Sequence, residues 1–162
     1  MMGVGKTTIG RNIAKKLGLK FIDIDEVIET REKSTIKDIF KLKGEQYFRK
    51  IEKKITFEFL KKRNLVIALG GGAFINRSIR KEAKNSTISF WLDVNTKFLL
   101  QRLKNIRKRP LLNRNNLEET VNKIYSERKK IYNESNFRIK CDEMNKEIIA
   151  NKIIKLYESS RD

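Results

Sequence analysis

Histidine is absent from this chain of 162 residues, and cysteine, proline and tryptophan occur once each. Without histidine the chain lacks the commonest metal ligand and the side chain that most readily serves as a base near neutral pH. A single cysteine excludes an intramolecular disulfide, and Cys141, placed beside a strand, reads as a small core residue. No apolar run approaches the roughly twenty residues of a membrane span, and the N-terminus has no secretory apolar region. No membrane partner is expected, and the cytoplasm is the expected compartment. Acids are scarce too: 20 Asp and Glu stand against 38 Lys and Arg, a net charge of +18. Such an excess raises the question of nucleic acid. The basic residues are scattered along helical stretches such as Lys53-Lys54 and Lys61-Lys62-Arg63, with acids between them and no basic arm. A solvated surface is the expectation, with no nucleic-acid partner.

What is present suits one globular, helix-rich domain spanning 1–162. Ile9, Ile13 and Leu17 recur at a spacing of four and Gly18 follows, which predicts a helix from Lys6 to Leu17. Lys20 to Ile24 is a short strand, followed by helical segments at Glu26 to Lys33, Ile36 to Lys43 and Glu45 to Lys62. Leu65 to Leu69 is a continuous apolar strand ending in Gly70-Gly71-Gly72, as a buried parallel strand should. A helix near Ser78 to Lys84, a strand Thr87 to Leu92 and a helix capped by Asn95 and running to Leu103 come next. From about 104 to 116 periodicity fails in a basic loop around Pro110, a candidate lid. A helix Leu117 to Tyr132, a strand Phe137 to Cys141 and a helix Lys146 to Tyr157 complete the chain. The alternation predicts an α/β fold, a three-layer parallel sheet with helices on both faces.

Chemistry concentrates near the N-terminus. Gly3, Val4, Gly5, Lys6, Thr7 and Thr8 form most of a phosphate-binding loop. The glycines admit backbone N–H groups to phosphate oxygens, Lys6 supplies a point charge, and Thr7 offers a hydroxyl to Mg²⁺. The rival reading is a glycine-rich turn capping a helix. The full pattern opens with a glycine five residues before Gly5, a position that falls one residue before Met1. Asp23 is the best second ligand for Mg²⁺, since the strand Leu65 to Leu69 carries no carboxylate. Because side chains alternate on a strand, Asp23 and Asp25 at its end can share a face, one toward the metal and the other toward an acceptor hydroxyl. Asp25 could instead simply cap the next helix.

In chain order these features are joined by Gly44-Glu-Gln-Tyr-Phe-Arg-Lys-Ile-Glu52, Gly70-Gly-Gly-Ala73, Arg109-Pro-Leu-Leu112 and Ser-Glu-Arg128. The ordered set resembles the shikimate kinases across nearly the whole chain. The resemblance implies a P-loop kinase fold like that of the nucleoside monophosphate kinases, with strand order 2-3-1-4-5 and the first strand absent from this chain. It implies a helical substrate-binding region over about 26–62 and a lid over about 104–116. It also implies a monomer that transfers the γ-phosphate of ATP to the 3-hydroxyl of shikimate. In this reading Asp25 holds the substrate hydroxyls and acts as base, while Arg49, the backbone of Gly71 and Arg128 bind the substrate. Arg109 meets the phosphates and Arg102 lies against adenine. Two arginines from separate segments suit a small carboxylate, although Arg49 and Arg128 taken singly read as solvated helix residues. Phe48 either walls the pocket or belongs to the core.

Two alternatives accompany this reading. One is another P-loop small-molecule kinase, acting on gluconate or a nucleotide. The other is an inactive nucleotide-binding relative, because the central strand is missing. An upstream segment of about seven residues, apolar and ending in glycine, is the expected remedy.

Overall fold

The computed structural model describes residues 3–104, 116–142 and 145–160, without the side chains of 102–104. Helix α1 (Lys6–Leu17) buries Ile9, Ile13 and Ala14, and Gly18 ends it in the left-handed conformation at φ 65°. Both ends match the apolar spacing. Strand β1 (Lys20–Asp23) leads into α2 (Ile24–Glu32), and Thr35 caps α3 (Ile36–Leu60). Two helical segments were expected where α3 lies. Gly44, at φ 78° and ψ 169°, kinks α3 at the boundary between them.

Strand β2 (Leu65–Ala68) pairs in parallel with β1, Lys20 opposite Leu65 through Asp23 opposite Ala68. A short 3₁₀ turn (Ala73–Ile75) and α4 (Arg77–Ser86) follow. Strand β3 (Phe90–Asp93) and α5 (Thr96–Lys104) come next, the side chain of Asn95 accepting from the Lys97 amide as expected of a cap. After α6 (Leu117–Tyr132), strand β4 (Phe137–Lys140) pairs in parallel with β3, and α7 (Lys146–Glu158) closes the chain. Strand β3 begins three residues later than the sequence predicts, since Thr87 ends α4, its amide bonded to Ala83.

Among the described residues the strands therefore form two parallel pairs, β1-β2 and β3-β4. The facing edges of β2 and β3 line one cavity of about 970 Å³ together with α1. One core cluster joins α1, the glycine-rich turn, β3, β4, α6 and α7 through Ile9, Phe74, Trp91, Tyr132, Ile139 and Ile149. A second packs α2 and α3 on β1 through Ile22, Ile28, Phe48 and Ile55. Cys141 is buried, 1% exposed, in the first cluster, as a core cysteine should be. The β3-β4 pair is pinned by Asp93, which accepts from Arg138 Nε at 2.8 Å and Tyr125 Oη at 2.8 Å. Burial, and then this bond to Asp93, push the Tyr125 hydroxyl up to about 12. No described helix is long and apolar enough to cross a membrane.

Gly18 tests the local logic of α1. A Cβ there would meet no atom within 4 Å, so replacement costs only backbone strain at φ 65°. Gly18→Ala should lower stability by about 1–2 kcal/mol and Tm by several degrees, read by urea and thermal melts. An unchanged melt would show that the cap is not a constraint.

Candidate active site

The phosphate-loop residues adopt the backbone that such a loop needs. Gly3 and Gly5 have φ of 73° and 91°. Gly5 caps α1 with no side chain on the helix amides, and the first turn of α1 carries no acid. The exposed amides and the helix dipole therefore offer an anion site at Lys6. Val4 is 3% exposed, so its side chain anchors the loop in the core and its backbone alone is left to a ligand. Thr7 Oγ1 donates to Asp23 Oδ2 at 2.7 Å, while Thr8 is exposed.

Asp23 does more than the sequence reading assigned to it. Its other oxygen accepts from the Asp25 amide at 3.0 Å and so caps α2. The expected shared strand face is thereby corrected: β1 ends at Asp23, and Asp25 stands in the first turn of a helix. Asp23 and not Asp25 is the cap, because Ile24 is fully buried and turns the chain into α2 at that point.

Asp25, Arg49, Gly71 and Arg128 come together at the turn Gly70-Gly71-Gly72. A Cβ on Gly70 would lie 2.7 Å from both Asp25 Oδ1 and Glu52 Oε1. A Cβ on Gly72 would lie 2.7 Å from Arg49 Cζ. Arg128 Nη1 donates to the Gly71 carbonyl at 2.8 Å, and the hydroxyl of Tyr132 donates to the same oxygen. Two carboxylates and two guanidiniums thus meet a stretch of backbone with no side chains of its own.

Arg49 is held on three sides. Glu52 accepts from Nη1 at 2.8 Å, Glu45 accepts from Nη2 at 3.0 Å, and the guanidinium lies 5.2 Å from the centre of the Phe48 ring. Phe48 is 4% exposed and packs its ring on Phe40, so it is a core residue that also serves as a platform for Arg49. Burial opposes the Arg49 charge, but the bonds to Glu52 and Glu45 hold its pKa above the usual value. Glu52 is 2% exposed, and its Oε1 has no hydrogen-bond partner among the described residues. Burial pushes the Glu52 carboxyl above the usual range, with Arg49 opposing and Asp25 assisting. Burial also raises the Tyr132 hydroxyl, opposed by Arg128.

Glu52 and Tyr132 were not foreseen. Glu52 had a signal, because it interrupts the buried helical positions Phe48, Ile55 and Phe59 with a charge. Tyr132 lies one turn beyond Arg128 on the same helix face. Arg109 and most of the expected lid lie outside the described residues, and so does the side chain of Arg102, whose backbone belongs to α5. The large cavity is not the place where these charges meet. It touches them only at its end, through Lys6, Gly70 and Tyr132.

A family model described as "SKI: Shikimate kinase" matches residues 2–158. The chain is 41% identical over 154 residues to a shikimate kinase of Persephonella marina, covering 94% of this chain and 92% of that one. A shikimate kinase of Bartonella henselae is 41% identical over 155 residues, 96% of this chain and 74% of the relative. Among solved structures, "Shikimate kinase from Acinetobacter baumannii in complex with shikimate" superposes with a TM-score of 0.93 at 34% identity. That match covers 98% of this chain and 89% of the other.

The pH dependence of stability tests the burial of Glu52. Its folded pKa lies above the ordinary 4.5, so the folded state retains a proton that the unfolded state has released. Stability should therefore fall as pH rises from about 4.5 toward the folded value, by at most about 1.4 kcal/mol per pH unit. Glu52→Gln removes that slope, so the stability of the variant relative to the parent should rise across the interval. Parallel pH profiles in urea melts would show that Glu52 titrates normally.

Proposed function

The chain belongs to the shikimate kinase family and carries out the ATP-dependent phosphorylation of shikimate; from that premise we propose how its residues divide the work. The observation that carries the proposal is the convergence of Asp25, Arg49 and Arg128 on the bare backbone of Gly70-Gly71-Gly72, next to a glycine loop at the N-terminus of α1.

Shikimate is a carboxylate with neighbouring hydroxyls. Arg49 and Arg128 hold its carboxylate by charge-assisted hydrogen bonds, and the Gly71 amide adds a donor that no side chain obstructs. Glu52 and the Phe48 ring fix the direction of Arg49, as Tyr132 and the Gly71 carbonyl fix the register of Arg128. Asp25 accepts hydrogen bonds from the ring hydroxyls and so selects which oxygen faces the nucleotide, the 3-hydroxyl in this reading. The backbone of Gly3, Val4 and Gly5, together with Lys6, Thr7 and Thr8, holds the phosphates of ATP. Arg109 from the lid and Arg102 beside adenine complete the nucleotide site.

The 3-hydroxyl oxygen bonds to the γ-phosphorus as the bond from that phosphorus to the bridging oxygen of ADP breaks. The hydroxyl proton passes to Asp25. Lys6 neutralises charge that builds on the phosphoryl oxygens. The pair Thr7 and Asp23 fits a magnesium ion, being a hydroxyl and a buried carboxylate oxygen 2.7 Å apart, the hard oxygen donors such an ion takes. When bound, magnesium would neutralise negative charge on the phosphates. The protein works in the cytoplasm as a monomer, without nucleic acid or membrane.

An acceptor panel tests the assignment. ADP release with MgATP should require shikimate and not follow gluconate or AMP, and equal turnover with either would reassign the substrate. Asp25→Asn should lower kcat by about 10²–10⁴-fold while nucleotide binding survives. Near-normal turnover would leave Asp25 only a helix residue.

Arg49→Ala and Arg128→Ala should each weaken shikimate binding by roughly 10- to 100-fold in calorimetric titration, with the nucleotide Kd little changed. Unchanged shikimate affinity in either variant would return that arginine to the solvated surface or to a purely structural role.

A further inference from the structure

The three carbonyls of Gly70-Gly71-Gly72 are held in different ways. The Ala73 amide donates to the Gly70 carbonyl and the Ile75 amide to the Gly72 carbonyl, each at 3.1 Å, so the 3₁₀ turn fixes both. No backbone amide among the described residues donates to the carbonyl between them. The Gly71 oxygen instead takes two donors from α6, Arg128 Nη1 at 2.8 Å and the Tyr132 hydroxyl. These two donors occupy both lone pairs of the oxygen. The peptide they hold has glycine on either side and turns easily without them.

The two donors are unequal. Arg128 is half-buried and its guanidinium ends a long, rotamer-rich side chain. Tyr132 is 6% exposed, and its ring centre lies 5.9 Å from that of Trp91 and 6.4 Å from that of Phe74. The Trp91 wall is itself braced, because the Arg138 guanidinium lies 4.9 Å from its ring centre and donates to Asp93. Burial raises the Tyr132 hydroxyl above its ordinary value, with Arg128 opposing, so it stays protonated and a donor. Tyr132 is therefore the fixed partner of the carbonyl and Arg128 the movable one.

We propose that Tyr132 is a positioning residue for substrate binding, which keeps the Gly71 carbonyl bonded while Arg128 turns to the shikimate carboxylate. The proposal rests on the assignment of Arg128 to that carboxylate. An anionic oxygen outcompetes a neutral carbonyl for a guanidinium, so alignment with the substrate draws Nη1 away from Gly71. A carbonyl with Arg128 as its sole donor would then be left unpaired inside the site, and that penalty would be subtracted from substrate binding. With the Tyr132 hydroxyl in place the peptide keeps its direction and Arg128 is released without loss. The hydroxyl acts through Arg128 and the Gly71-Gly72 peptide, not on the reacting atoms.

Tyr132→Phe keeps the ring and removes only the hydroxyl. The test titrates the parent, Tyr132→Phe, Arg128→Ala and the double variant calorimetrically with shikimate and with its uncharged carboxamide, beside steady-state kinetics. Tyr132→Phe should raise the Kd and KM for shikimate by roughly 5- to 30-fold, with kcat within about twofold of the parent and the nucleotide Kd unchanged. The carboxamide should bind the parent and Tyr132→Phe alike, and the double variant should bind shikimate no more weakly than Arg128→Ala alone. Trp91, the one tryptophan of the chain, reports on the ring stack, and its emission should be the same in Tyr132→Phe. A second measurement needs no variant: in the parent, the Tyr132 hydroxyl proton should remain visible by NMR at saturating shikimate while the Arg128 guanidinium resonances shift. Overturning results are unchanged shikimate affinity in Tyr132→Phe, equal losses on shikimate and carboxamide, additive losses in the double variant, weakened nucleotide binding with altered Trp91 emission, or disappearance of the hydroxyl proton at saturation. Unchanged affinity in Arg128→Ala would overturn the assignment of Arg128 and this proposal with it, whereas a loss there and none in Tyr132→Phe overturns this proposal alone.

Discussion

Side chains that carry charge can converge on Gly70-Gly71-Gly72 only because that turn has no side chains. The available space is already taken. Asp25 and Glu52 oxygens stand where a Cβ of residue 70 would be, and the Arg49 guanidinium stands where one of residue 72 would be. The turn follows directly from β2, so the apolar strand aims it, and the 3₁₀ turn bonds it back through the Ala73 amide to the Gly70 carbonyl. Close approach also explains the electrostatics. Glu52 is kept in a buried place that alone would favour its neutral form, and Arg49 offsets part of that cost while being oriented by it.

The two ends of the site are joined by a short route of hydrogen bonds and backbone. Thr7 on α1 bonds Asp23, Asp23 caps α2, and Asp25 follows in the first helical turn. A displacement of the phosphate loop is therefore passed to Asp25 through a hydrogen bond and two residues. In a reaction that depends on placing two oxygens about one phosphorus, such coupling matters more than any single contact.

Much of this was legible in the sequence where local rules decide. The bounds of α1 and α6 follow from apolar spacing and, for α1, from Gly18; Gly44 divides α3 where its periodic segments meet. The convergence at the glycine turn was not legible from single residues. Arg49 and Arg128 each look like solvated helix arginines, and only their order among the other motifs linked them. The misplacement of Asp25 arose because an extended pattern through Ile24 looks the same whether the chain continues as a strand or turns into a helix. The burial of Ile24 and the cap by Asp23 decide it, and both are tertiary. Tyr132 was missed because a tyrosine at helical spacing reads as core; its hydroxyl bond to the Gly71 carbonyl depends on how α6 crosses the turn.

That crossing links the site to the sheet. Arg128 and Tyr132 stand on α6, which leads into β4 and belongs with the β3-β4 pair, yet both donate to Gly71 at the end of β2. With no backbone ladder between β2 and β3 among the described residues, these bonds and the apolar cluster around Trp91 and Phe74 hold the two halves in register. The width of the cavity between β2 and β3 and the position of Arg128 are consequently one variable. A change in the separation of β2 and β3 moves Arg128 against Arg49, the two groups proposed to hold the carboxylate. Order in the sheet is thus a condition for order in the proposed substrate site, although no backbone hydrogen bond joins β3 to the glycine turn among the described residues.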